Sequence, residues 1–408
     1  MRTTILICLH LCLQTLSHSQ SGVQTLRTAF SSNPENAITQ AEDLCAHTSP
    51  YYTKNALHLP EPGYTPITIR LNYIFLQNQA GEGNFKEDNT EDQEFIQAFT
   101  QRLNDAVGMM IDREYDYCRG GLPFREDAKY RFKPNMIYIQ DEKGWNNRND
   151  RAPAGCPGGD AWYLDSLDDA IYANRDIPHG VNIYFSTDGK LYDDMVVQKT
   201  VTEFEKHKYL SNHCASEIGS VGDLNPHALR VHLPDAWLKL WWFKNVTGDP
   251  PIWLINEFGR SIAHEVGHLM GLSHTGNKYL HCLMRSPSGG NRDYLCPDEV
   301  GKMQRVLATN ASFWQCIDCG ERFDGPGARG NPERVVSSDE IWDLNMRVFM
   351  SVRIKAGAEL RISCGIQMPP DGLIILEPGA RLTLDREGIV TLPESCQDGQ
   401  VWNGIRIE

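Results

Sequence analysis

The stretch His264-Glu265-Val266-Gly267-His268-Leu269-Met270-Gly271-Leu272-Ser273-His274 constrains this 408-residue chain more tightly than any other part of it. His264 and His268 are four apart, so on an α-helix they stack on one face and can aim ring nitrogens at one point. Gly271 predicts the helix end. Glycine accepts left-handed backbone at little cost, and the turn it permits brings His274 back toward the same point. Ile255, Phe258, Ile262, Val266 and Leu269 recur at helical spacing and mark a buried stripe. The two histidines follow Ile262 and Val266 by two residues, about 200° around the helix, and so are expected to face a cleft. Asp249 reads as the N-cap and Pro250 as the first helical residue, giving a helix that runs to about Met270.

Three neutral imidazoles that leave a fourth position open are the donor set of a catalytic zinc rather than a structural one, and such an ion lowers a water's pKa toward about 7. Glu265, beside the first histidine, is placed to take that water's proton and return one to a leaving amine. A bare H-E-x-x-H arises by chance in many unrelated helices. Here five positions agree, and Met284 in Cys282-Leu283-Met284-Arg285 follows ten residues after His274, where a turn can pass beneath the ligands. With these residues the chain resembles the metzincin metallopeptidases, whose pattern is H-E-x-x-H-x-x-G-x-x-H followed by a methionine turn. Within that clan the stretch from His264 to Thr275 and the C-terminal architecture look most like the secreted pappalysin-type (cytophagalysin) peptidases of bacteria.

The resemblance implies zinc-dependent hydrolysis of peptide bonds in protein or peptide substrates. It implies His264, His268 and His274 as ligands of one Zn2+, Glu265 as the catalytic base, and Gly271 and Met284 as structural support. The implied fold is α/β, a twisted mixed sheet with helices over an irregular lower half. Calcium is suggested by the relatives alone, since no EF-hand loop is present. Several metzincin families carry a tyrosine two residues after the turn methionine, a position occupied here by Ser286. Tyr294 lies too far along to replace it without a special loop, so no tyrosine is assigned to catalysis and oxyanion stabilisation falls to zinc. Arg285 and the Gly-rich loop from Ser286 to Asn291 are candidates for shaping the substrate pocket.

The remaining sequence mounts this motif in an exported, multi-part protein. Met1 to Thr4 followed by an apolar run from Ile5 to Leu16 reads as a secretory signal peptide over residues 1–19, cleaved after Ser19. No stretch approaches the roughly 20 apolar residues of a spanning helix, so no transmembrane segment is expected. Residues 20–60 read as an N-terminal segment and candidate pro-region, 61–315 as the zinc-peptidase-like domain, 316–340 as a linker and 341–408 as a β-rich region. Of the 12 cysteines, ten remain after the signal peptide, an even number suited to disulfides in an oxidising compartment. Cys282 with Cys296, and Cys364 with Cys396, are the expected local pairs. Cys316 and Cys319 have C-x-x-C spacing but no zinc-ribbon partner, and read as structural disulfide cysteines. Cys45 is expected in a disulfide; the alternative is a thiolate that caps the zinc of a latent precursor.

A formal charge of −14, with 53 acidic and 39 basic residues and no basic block, argues against nucleic acid as a partner. Ile67, Ile69, Leu71, Tyr73 and Phe75 alternate as a strand, and Thr90 with Gln93 gives a capping box for a helix striped by Phe95, Phe99, Leu103, Ala106 and Met110. Met136 to Ile139, Val181 to Phe185 and Leu229 to Leu233 are further strands, Asn146 to Pro178 an ordered loop tied through Cys156, and Pro297 to Leu307 a closing helix. This order predicts a mainly parallel sheet. Trp237, Trp241, Trp242 and Trp253 read as packing residues, with groove lining as the alternative. Gly357 to Ile362 is echoed by Gly379 to Leu384 at an offset of 22, each after a β-rich run, Val352 to Ile354 and Leu373 to Leu376. A fixed period fits a small parallel β-solenoid; a β-sandwich with an accidental echo is the alternative. Val401 to Ile407 would begin a further coil whose last strand needs a partner. The C-terminal region is a candidate binder of cell-surface or glycan partners, and a secreted adhesin with a relic peptidase domain is the rival reading of the whole. A zinc amidase acting on a non-peptide substrate is a second rival.

Overall fold

The computed structural model describes residues 25–26, 45, 53–83, 85–113, 118, 120–145, 167, 170–186, 214–215, 230–234, 252–275, 281–285, 292–319, 333–385, 388–393, 396 and 401–408. The expected signal peptide, most of the Asn146 to Pro178 loop with Cys156, the side chains of the four tryptophans, Asp249 with Pro250, and the loop from Ser286 to Asn291 lie outside the described residues.

In chain order the elements up to residue 319 are β1 (Thr25–Leu26), a 3-10 turn (Asn55–His58), β2 (Ile67–Gln77), α1 (Thr90–Gly108), β3 (Tyr130–Gln140), α2 (Glu142–Trp145), β4 (Val181–Ser186), β5 (Cys214–Ala215), β6 (Arg230–Pro234), α3 (Ile252–Leu269), α4 (Pro297–Thr309) and α5 (Ala311–Gln315). Strands β3-β2-β4-β6-β5 form one sheet in that order, every pair parallel except β5 with β6. Parallel neighbours need crossovers that pack on the sheet, which is what α1 supplies between β2 and β3.

The alternation read in β2 predicts one buried face, whereas both faces are covered. Ile69, Leu71, Tyr73 and Phe75 enter the main core with α1, α3 and α4, and Ile74 and Leu76 enter a second cluster with Leu167, Ile171 and Tyr184. Coverage on two sides is the normal condition of a parallel sheet. Polar side chains on this buried strand pair among themselves. Asn72 faces Asn135 on β3 and Asn182 on β4, donating to the Asn182 amide oxygen at 2.9 Å and accepting from Asn135 at 2.9 Å. The α1 stripe is buried as expected, but the cap is Asn89, whose side chain accepts from the Glu91 amide, so Thr90 is the first helical residue.

Residues 333–408 hold β7 (Glu333–Val336), β8 (Glu340–Trp342), β9 (Met346–Arg347), β10 (Ser351–Ile354), β11 (Glu359–Ile362), β12 (Gly365–Gln367), β13 (Ile374–Leu376), β14 (Arg381–Leu384), β15 (Ile389–Thr391) and β16 (Ile405–Ile407). Three sheets run through this region, ordered β1-β16-β13-β10-β7, β14-β11-β8 and β15-β12-β9, and successive coils pair in parallel. Val352 pairs with Ile374 and Leu360 with Leu382, so the 22-residue echo is the coil repeat itself. Gly357 and Gly379, at φ 80° and 84°, turn equivalent corners and stack through a backbone bond of 3.3 Å. Trp342, Leu360, Ile362, Ile366 and Ile374 fill the interior. The first coil begins inside the stretch read as a linker. β7 is short, carries two charges and buries only Val336, and it is placed by parallel pairing with β10 at the sheet edge. The last strand, β16, does have a partner, the antiparallel β1.

The disulfides correct the expected local pairs. Cys296 bonds Cys118, not Cys282; Cys364 bonds Cys45, and Cys396 bonds Cys319. Cys282 and Cys316 are buried thiols. Cys45 therefore fulfils the disulfide expectation, while the C-x-x-C stretch divides, with Cys319 bonded and Cys316 not. No helix among the described residues is long and apolar enough to cross a membrane.

Candidate metal centre

Helix α3 ends at Leu269 because Gly271 takes φ 77°. The Leu272 amide bonds the Gly267 carbonyl at 2.9 Å and the Gly271 amide bonds the His268 carbonyl at 2.8 Å, the paired bonds of a Schellman motif. The reversed chain delivers His274 to the two helical histidines. The three Nε2 atoms lie 3.1 Å (His264 to His268), 3.0 Å (His268 to His274) and 3.2 Å (His264 to His274) apart. An ion held about 2.0 Å from three nitrogens at tetrahedral angles places them about 3.3 Å apart.

The opposite ring nitrogens fix the chemistry. His264 Nδ1 lies 2.7 Å from the Leu283 carbonyl and His268 Nδ1 2.9 Å from the Leu272 carbonyl. A carbonyl only accepts, so both rings carry their proton on Nδ1 and, when neutral, present a lone pair at Nε2. Lone pairs converging at 3 Å repel one another, and a cation between them converts that repulsion into coordination. Burial, with the nearby His268, Arg292 and His274, pushes His264 down to about 3 against the opposing bond to Leu283, keeping this ring neutral. The donor set thus fits a divalent cation of zinc type, with backbone carbonyls orienting the ligands from behind.

Among the described residues this is the one cluster of histidine, cysteine or carboxylate groups with ligand geometry. His264 is only 5 % exposed, deeper than its expected cleft-facing position, because the turn carrying Leu283 covers its back. His268 and Glu265 are partly exposed and His274 is exposed, so the centre opens on their side. Ile262, Val266 and Leu269 pack into the main core behind it.

Met284 is buried against α3 at Gly267. A Cβ added at Gly267 would meet its sulfur at 2.5 Å, so only glycine lets the turn approach this closely. Sequence reasoning passed over Gly267, although a glycine inside a helix costs about 1 kcal/mol and so signals close packing. It also missed α4. Lys302 Nζ donates to the Gly271 carbonyl, and the Glu299 carboxylate accepts from the Cys296 amide at 2.8 Å and from Cys282 Sγ at 3.6 Å. The Cys-x-x-Glu spacing was a readable capping-box signal, and nothing in the sequence marks Lys302. Tyr294 is buried and stacked on Phe124, in keeping with a packing role. Arg285 is half-buried at the end of the Met284 turn. Comparison with protein-family models gave no match for this chain, and comparison with curated proteins gave none.

Proposed function

We propose that this protein is an exported zinc-dependent endopeptidase of metzincin type, closest in kind to the pappalysin-like group. The observation that carries the reading is the convergence of three Nε2 lone pairs within 3.2 Å, two of them fixed by Nδ1 bonds to backbone carbonyls. A mainly parallel sheet with helices packed on it is the scaffold expected of such an enzyme, and the disulfides suit an oxidising compartment.

His264, His268 and His274 would hold the ion. When bound, zinc supplies Lewis acidity, polarising a scissile carbonyl and acidifying a water. The chain's own groups do the rest. Glu265, partly exposed and one residue from a ligand, offers a carboxylate that takes the water's proton and passes it to the amine nitrogen as the peptide C–N bond breaks. The Leu283 and Leu272 carbonyls hold the His264 and His268 imidazoles in one tautomer, so neither of these two must rotate or shed a proton.

The test is metal content of the purified protein together with cleavage of an unbiased peptide library. About one zinc per chain and cleavage abolished by a chelator are expected. Glu265→Gln should retain the metal and lose hydrolysis by at least about a hundredfold. Retained cleavage in that variant, or a protein that binds no zinc, would overturn the reading.

A further inference from the structure

We propose that α4, which lies outside the ligand motif, sets the geometry of the metal centre through two positioning residues one turn apart, Lys302 and Glu299. This rests on the zinc reading above.

The centre joins α3, which carries His264 and His268, to two loops. One, residues 271–275, ends α3 and carries His274; the other, residues 281–285, carries the Leu283 carbonyl and Met284. They are joined by the Thr275 amide donating to the Met284 carbonyl at 3.0 Å. Neither loop is regular structure, so the separation of the His274 and His264 nitrogens depends on what grips the loops from outside. Lys302 grips the first. Its ammonium donates to the carbonyl of Gly271, the left-handed residue on which the chain reverses toward His274, and its stem lies alongside, 3.4 Å from where a Gly271 Cβ would stand. A cation at a helix C-terminus also meets the carbonyl end of the helix dipole favourably.

Glu299 grips the second loop. Its carboxylate accepts from Cys282 Sγ at 3.6 and 3.8 Å while closing the α4 capping box on the Cys296 amide. Cys282 opens the turn whose carbonyl at Leu283 orients His264, and the Arg285 amide closes that turn on the Cys282 carbonyl at 3.1 Å. This gives Cys282 a reason to remain a thiol: an S–H donor reaches Glu299, whereas a disulfide sulfur could not donate. Residues three apart share a helix face, so a single rigid helix fixes both loops at once.

The experiment uses the full chain. Zinc affinity is measured by chelator competition, and the visible spectrum of the cobalt-substituted protein reports ligand geometry. Melting of the metal-free protein reports the fold. Lys302→Met should weaken zinc binding about tenfold or more and alter the cobalt spectrum, with the metal-free melt unchanged. Lys302→Arg should recover most of the affinity. Affinity within twofold of wild type and an unaltered cobalt spectrum would overturn the inference while leaving the zinc reading intact. A wild-type protein that binds no zinc would overturn both. Should Lys302→Met not fold, Cys282→Ala reads the other arm in the same way, with Cys282→Ser as its conservative rescue, and wild-type behaviour in Cys282→Ala would overturn the proposal.

Discussion

At the scale of single residues, Gly267 leaves no room for a side chain against Met284. A methyl group on Gly267 would stand 2.5 Å from a sulfur whose own side chain is fully buried. Gly267→Ala should therefore destabilise the protein by about 1–3 kcal/mol, despite the better helix propensity of alanine, and thermal melting would show it. An unchanged or higher midpoint would mean the turn yields. Glu299 makes a prediction about pH. Burial, opposed by its bonds to the Cys296 amide and Cys282, raises its pKa from 4.5 to about 7. A carboxyl with a raised folded-state pKa keeps its proton where the unfolded chain has lost it. Its contribution to stability is thus present below about 4.5 and is lost as pH rises through about 7. Glu299→Gln cannot ionise and should gain stability relative to wild type between pH 5 and pH 8; melts at both pH values that keep a constant difference would contradict this. The convergence of His264, His268 and His274 was legible because their spacing is local, two on one helix face and one just past its glycine turn. Lys302 and the two orienting carbonyls were not, because one is distant in sequence and the others belong to the backbone, which residue identity does not encode.

At the scale of elements, the asparagine row across β3, β2 and β4 is a register lock. Slipping any strand by one residue would turn these amides to the opposite face and bury them without partners. Asn72→Leu keeps the branching at Cγ but takes one hydrogen-bond partner each from Asn135 and Asn182, at about 1–3 kcal/mol in all, and a lowered urea midpoint is expected. A midpoint equal to wild type would mean water replaces the lost partner. Elements were legible where pattern and environment agree. The α1 stripe, Val181 to Phe185 and the 22-residue echo all correspond to observed elements. Reading failed where a strand depends on its neighbours. In Glu333-Arg334-Val335-Val336 one residue of four is buried, so the segment looked like linker until a second coil lay upon it.

At the scale of the whole molecule, connectivity was the least legible property. The local guesses failed because the three bonds among the described residues span sequence separations of 319, 178 and 77 residues, set by tertiary approach rather than by spacing. The N-terminal segment is involved at both ends of its described length. Its first strand pairs with β16, and its 3-10 turn meets α4, with Asn55 Nδ2 donating to the Asp298 carboxylate at 2.9 Å. The bond from Cys45 to Cys364 makes a covalent circle of the chain between them, and every residue assigned here to the metal centre lies on it. A circle survives one cut. If the protein nicks itself once between these cysteines, the products should run as one band on a non-reducing gel and separate only after reduction. A fragment lost without reductant would show that the circle was open. An enzyme that cleaves proteins would thus carry its own active site on the part of the chain that a single internal cleavage cannot set loose.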